Sequence, residues 1–205
     1  MITIVDYGLG NIRAFINVYD RLNIPVKTAS DCDELMKATK VILPGVGSFD
    51  NAMMRLERSG MKGLLTEMAL AKNVPVLGVC VGMQMLATSS EEGVLPGLGW
   101  IEGEVKKIRA DQLGHAVRVP HMGWNTVKPV NDRGLFQGFD HNARFYFLHS
   151  YYFHSRKKEA VIATTDYDRE YACAVGSGNI YGVQFHPEKS HRWGIQLLDN
   201  FARVV

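Results

Sequence analysis

A cysteine stands between two glycines where an apolar run gives way to helix-forming residues, in Gly78-Val79-Cys80-Val81-Gly82. The run that leads into it, Val74-Pro75-Val76-Leu77-Gly78-Val79, is rich in β-branched residues and short, as a buried strand is. Met83-Gln84-Met85-Leu86-Ala87, which follows, has helical composition. Strand, tight turn and helix with a nucleophile at the turn is the geometry of a nucleophile elbow. There, glycines permit a sharp bend and the reactive atom projects from the edge of a sheet. A cysteine so placed faces the amide-rich start of the following helix, a setting suited to an anion. The same five residues also describe a small core side chain, the usual fate of a free cysteine. Its partners elsewhere in the chain must decide between the two.

The residues around it predict an α/β protein. Ile2–Asp6 reads as a strand, Asn11–Leu22 as a helix and Val26–Thr28 as a second strand. Cys32–Ala38 reads as a helix and Lys40–Leu43 as a strand, and two helices, Phe49–Ser59 and Met61–Ala71, precede the strand of Cys80. Alternating strands and helices imply right-handed crossovers: a flavodoxin-like open, mostly parallel sheet with helices on both faces. The second half changes character. Gly103–Ile108, Val117–Val119, Thr126–Val130, Phe145–Tyr152, Val161–Thr165, Ala172–Val175 and Ile180–Gln184 are short strand-like runs, read as antiparallel strands at or beside the sheet edge. Trp193–Val205 reads as a closing helix. Ligands of open α/β sheets bind beyond the carboxyl ends of the strands, where Cys80 is expected.

At 205 residues the chain is expected to form one domain, residues 1–205, with a substantial core. A net charge of +2 gives no electrostatic footprint for nucleic acid or a membrane surface. The basic cluster Arg156-Lys157-Lys158 is explained by a solvated turn. Three cysteines are too few, and odd in number, for a disulfide framework, so Cys32 and Cys173 read as structural. No signal peptide and no long apolar stretch is visible, and a cytoplasmic location is expected. The histidines lack HExxH spacing and the cysteines lack CxxC, so neither a metal nor another cofactor is expected.

Two glycine-bearing segments follow strands in the first half. Tyr7-Gly8-Leu9-Gly10-Asn11-Ile12-Arg13 imitates a dinucleotide fingerprint but carries Arg13 where close helix packing needs a small residue. Pro44-Gly45-Val46-Gly47 reads either as an ordinary strand-to-helix turn or as a segment whose backbone turns an amide towards an oxyanion. A second amide would come from Val81, next to the nucleophile. Among seven histidines, His186 has the most telling setting. The strand-like Ile180–Phe185 ends at His186-Pro187-Glu188, where proline stiffens the turn and the two-residue spacing can aim both side chains at one site. Beside Cys80, His186 would serve as base and acid while Glu188 holds its tautomer.

Gly78-Val79-Cys80-Val81-Gly82-Met83-Gln84 together with Phe185-His186-Pro187-Glu188 resembles the class I, or triad, glutamine amidotransferases, and the likeness spans essentially the whole chain. Asp6–Asn11, Leu43–Gly47, Pro120-His121-Met122-Gly123-Trp124-Asn125, His149–Tyr152 and Glu188-Lys189-Ser190 look like the branch that supplies the glutaminase subunit of imidazole glycerol phosphate synthase. That resemblance implies a catalytic triad of Cys80, His186 and Glu188. It further implies an oxyanion and glutamine site formed by Gly45, Val46, Gly47, Val81, Gln84, Ser150 and Tyr151. It also implies a (β/α)8-barrel partner that receives ammonia and meets Asn11, His121, Trp124 and Lys189. Ser89–Trp100, Asp166–Tyr171 and Ser190–Gly194 instead look like a paralogous branch that delivers ammonia to a sugar nucleotide in surface-polysaccharide synthesis. A stand-alone cysteine hydrolase is the alternative of another class.

Overall fold

The computed structural model describes residues 1–109, 111, 118–140 and 142–205. Strands β1 (Ile2–Val5), β2 (Val26–Ala29), β3 (Lys40–Gly45) and β4 (Val76–Cys80) alternate with helices α1 (Ile12–Arg21), α2 (Cys32–Leu35), α3 (Phe49–Arg58) and α4 (Met61–Leu70). A single turn, α5 (Val81–Gln84), follows β4. Then come β5 (Ser89–Ser90), β6 (Gly103–Lys107), β7 (His121–Thr126), β8 (Lys128–Pro129), β9 (Arg144–His149), β10 (Tyr151–Ser155), β11 (Val161–Asp166), β12 (Glu170–Ser177) and β13 (Ile180–Val183). Helix α6 (His191–Arg203) closes the chain.

Eight strands form one sheet in the order β2-β1-β3-β4-β13-β12-β11-β8. The five from β2 to β13 are parallel and the last three antiparallel. The step from β1 to β2 runs one way and those to β3 and β4 the other, so right-handed crossovers put α1 on one face and α2–α4 on the opposite one. Packing agrees: α1 meets α6, while α4 meets α2 and α3. Local chemistry supports each element. Asn11 caps α1 by accepting from the Ala14 amide, and Phe15, Val18 and Tyr19 line its buried face at helical spacing. Every residue of β1 and β4 is buried, as expected of interior parallel strands covered on both sides.

The structure corrects several expectations. Ile180–Gln184, grouped by its sequence with antiparallel strands at or beside the edge, forms the central strand β13 over Ile180–Val183, antiparallel to β12 but parallel to β4, with Val183 opposite Val79. Phe145–Tyr152 is two strands, not one. It breaks at Ser150, with β9 pairing β7 and β10 pairing β6 in separate small sheets. The segment His121–Thr126 is itself strand β7, which takes in the first residue of the expected Thr126–Val130 run, and only Lys128–Pro129 of the remainder is strand, as β8. In the expected strand Val117–Val119, Val117 lies outside the described residues, and Arg118 and Val119 belong to no strand. The helix after Cys80 lasts four residues.

Candidate active site

Three neighbouring parallel strands bring the candidate residues to one edge. Gly45 at the end of β3 lies opposite Cys80 at the end of β4, and β13 runs on through Gln184 and Phe185 to His186. Cys80 has φ 55° and ψ −113°, so the turn's left-handed strain falls on the cysteine itself rather than on its flanking glycines. His186 is gripped by its backbone: its amide donates to the Tyr146 carbonyl at 2.9 Å, and Ser190 Oγ donates to its carbonyl at 2.6 Å. Pro187 then opens a short 3-10 turn that swings Glu188 back under the ring.

His186 Nδ1 and Glu188 Oε1 are 2.9 Å apart and both side chains are buried. Glu188 Oε2 is buried with no hydrogen-bond partner among the described residues. With Nδ1 engaged by the carboxylate, Nε2 is the nitrogen left for Cys80. Burial alone would push the imidazole down. The hydrogen bonds and charges of Cys80 and Glu188 outweigh it, and the imidazolium is held up to about 10. Because this value lies above the ordinary histidine range near ~6.5, the pair stabilises the fold fully below that range. That contribution is lost as the pH rises through about 10. In an NMR titration of the histidine ring signals, His186 should therefore stay protonated past neutrality, and Cys80→Ala should move its midpoint down. A midpoint unchanged by that substitution would mean that Cys80 does not face the ring.

Beside the cysteine is a cavity of about 360 Å³, of a size that holds small metabolites. Val46, Gly47, Val81 and Gln84 line it from the β3 and β4 side, and Ser150, Tyr151 and Lys189 from the other. Gly45 lies behind this wall, packed against the Val81–Gly82 backbone. Gln84 is buried and donates to the Tyr151 carbonyl at 3.2 Å and to Gln184 Oε1 at 3.0 Å. Tyr7 donates from its buried hydroxyl to the Pro44 carbonyl at 2.5 Å, pinning β3 just before Gly45-Val46-Gly47.

The four residues expected at a partner surface separate. Asn11 and Lys189 are exposed, and Lys189 Nζ lies 6.0 Å from the Tyr146 ring centroid. Trp124 is 39% exposed and stacks on His191 with centroids 5.1 Å apart. His121 is the correction. It is 2% exposed, with its ring between Phe147 and Tyr167, because alternation along β7 turns Met122 and Trp124 outward and His121 inward.

Sequence reasoning assigns no role to Gln184, His149 or Glu92. Gln184 is wholly buried, with Nε2 3.8 Å from Cys80 Sγ. An amide beside an apolar strand, two residues before His186, is the signal that could have found it. His149 lines the cavity, as does Glu92, whose Oε2 accepts from the Phe49 amide at 2.8 Å.

Comparison with known proteins places this arrangement. The family described as "Glutamine amidotransferase class-I" matches residues 3–205. The imidazole glycerol phosphate synthase subunit HisH of Bdellovibrio bacteriovorus is 57% identical over 204 residues, covering 100% of both chains. The protein of the same name from Leptospira interrogans is 51% identical, also over the full length of both. Among solved structures, a putative GMP synthase component from Thermoplasma acidophilum shares the fold, with a TM-score of 0.73 at 21% identity over 99% of this chain and 92% of that one. With Cys80, His186 and Glu188 gathered at the strand ends and the family match running from residue 3 to residue 205, the chain belongs to the class I glutamine amidotransferases.

Proposed function

We propose that the chain is the glutaminase subunit of an imidazole glycerol phosphate synthase and supplies ammonia to a (β/α)8-barrel subunit for histidine biosynthesis. The observation that carries the chemistry is the buried His186–Glu188 pair acting on Cys80 at the mouth of a small-molecule cavity. The name borne by relatives at 57% and 51% identity supports the pathway.

In this reading the Cys80 sulfur attacks the γ-carboxamide carbon of glutamine. The amides of Val46 and Val81 hold the resulting oxyanion. Collapse breaks the C–N bond, and His186 gives its proton to the departing ammonia. The same imidazole, now neutral, takes a proton from water as the water attacks the glutamyl thioester. Glutamate leaves and the Cys80–His186 pair is restored. Glu188 keeps Nδ1 of the ring engaged throughout. Gln84, Ser150 and Tyr151 position the substrate, and Glu92 brings a carboxylate to the cavity wall for its α-ammonium group. Exposed Asn11, Trp124 and Lys189 form the partner surface, with Trp124 the kind of aromatic anchor in which interfaces are enriched.

The test is glutamate release from glutamine by the purified chain, alone and with the barrel subunit encoded in the same genome. We expect hydrolysis to rise on adding barrel and acceptor, because the Gly45–Gly47 segment must turn an amide inward to complete the oxyanion site. Full activity of the chain alone, unchanged by the barrel, would overturn the partner assignment. Stimulation by a barrel subunit that makes no imidazole glycerol phosphate would move the ammonia to the sugar-nucleotide branch and leave the triad chemistry standing.

A further inference from the structure

We propose that buried His121 and His149 form a one-way hydrogen-bond relay that fixes the Tyr151 carbonyl, and with it the Ser150–Tyr151 wall of the cavity. The proposal rests on reading that cavity as the glutamine site.

The direction of every link is forced. A carbonyl can only accept, so His149 Nδ1, 2.8 Å from the Tyr151 oxygen, carries the proton. A neutral His149 then has a bare Nε2, which must accept from His121 Nδ1 at 3.0 Å. His121 in turn has a bare Nε2, which accepts from Asn125 Nδ2 at 3.2 Å. The Asn125 amide is oriented independently: Nδ2 donates to the Asp166 carbonyl at 2.7 Å, and Oδ1 accepts from the Thr126 amide at 2.8 Å. The neutral forms are secured by burial, which depresses His121 to about 4 and His149, helped by the neighbouring His121, to about 3. Thus one protonation pattern satisfies all four ring nitrogens.

The relay ends at a carbonyl that strand pairing with β6 leaves without a partner. Ser150 is the lone residue between β9 and β10, which belong to different sheets. The Ile108 amide donates to the Ser150 carbonyl at 2.9 Å. Antiparallel alternation then turns the Tyr151 carbonyl away from β6. Its acceptor capacity is met by His149 and by Gln84, whose amide leads on through Gln184 to Cys80. Packing alone does not call for this chain of polar groups. The stack of His121 on Phe147 and Tyr167, with centroids 4.5 and 3.9 Å away, would suit a phenyl ring equally well. A relay that is satisfied at every atom instead specifies one geometry for the corner it reaches.

The experiment compares steady-state glutamine hydrolysis by the full chain, with its barrel subunit, for His149→Phe, His149→Asn and His121→Phe. Losing one aligned hydrogen bond at the binding wall should raise KM for glutamine about tenfold in His149→Phe, with kcat changed less than about threefold. His149→Asn, whose amide can replace Nδ1 towards the Tyr151 carbonyl, should recover KM to within about threefold of the parent. His121→Phe keeps the ring stack but withdraws the donor, and should raise KM severalfold; it carries the test should His149→Phe fail to fold. A lowered melting temperature with KM unmoved in both phenylalanine variants would overturn the relay and leave the pair a packing element. A parent protein that neither hydrolyses glutamine nor is alkylated at Cys80 by a glutamine-analogue diazoketone would overturn the reading of the cavity, and the relay's function with it.

Discussion

Cys80→Ala should lower glutamine hydrolysis by at least about 10⁴-fold while the chain keeps its fold, because a nucleophile, its base and its orienting acid fail as a unit. Without the sulfur no thioester forms, and His186 has no group to protonate after attack. What survives is whatever the oxyanion amides and the cavity can do for direct attack by water. His186→Ala should cost a similar factor, and combining it with Cys80→Ala should add little, since the second change removes a group that has already lost its task. Thermal denaturation and glutamate release, measured on the same preparations, separate chemistry from folding. Alanine at position 80 inherits φ 55° and is smaller than the sulfur-bearing side chain it replaces, so the turn carries no new clash. With the barrel subunit present, added ammonium should restore product formation in the Cys80→Ala complex. Hydrolysis of glutamine by Cys80→Ala at near the parent rate would end the nucleophile assignment. Loss of the ammonium-dependent reaction, with the barrel intact, would end the division of labour between subunits.

The elbow, the distant His-Pro-Glu and the alternation of the first half are legible because each is local. An apolar run that meets a glycine-bracketed cysteine, or a proline that stops a strand, needs no knowledge of the rest of the chain. The cavity-lining roles of Gln84, Ser150 and Tyr151 come from the family resemblance, not from any physical pattern in those residues. What stays hidden is what long-range pairing decides. Ile180–Val183 has the composition of any short strand, and only its pairing with β4 makes it central and carries His186 to Cys80. Likewise Phe145–Tyr152 is one apolar run, and the break at Ser150 follows from β9 and β10 joining different partners. Resemblance puts His121 on the partner surface together with Trp124. Strand alternation, invisible until the segment is known to be a strand, sends it inward.

Gly82→Ala should destabilise the protein by about 3 kcal/mol, since it forces backbone against backbone in a packed interior. The glycines around Cys80 read from sequence as residues that let the chain bend. Their backbones are instead ordinary, and the left-handed conformation sits on Cys80. What the glycines provide is room. A methyl group on Gly82 would be driven into the Leu43 carbonyl of β3, with the carbonyl carbon 3.0 Å away. One on Gly78 would come within 2.6 Å of the Gly82 oxygen, and one on Gly45 within 2.8 Å of the Val81 carbonyl carbon. Gly45 and Gly82 let the turn after Cys80 press onto the end of β3, and Gly78 lets the same turn fold back on β4, so that the thiol and the Gly45–Gly47 segment share one cavity wall. None of the obstructing atoms is the free end of a flexible side chain, and relief requires the turn after Cys80 to move off the strands it packs on. For a chain of this size the loss corresponds to a melting temperature lower by about 10 °C. Gly63, in the first turn of α4 with open space around it, is the control: Gly63→Ala should be neutral or stabilise by up to about 1 kcal/mol. Equal melting temperatures for Gly82→Ala and the parent would refute the close-approach argument. A Gly82→Ala protein that melts low, yet retains full glutaminase activity in its folded fraction, would show that the approach of β3 to the turn serves stability alone.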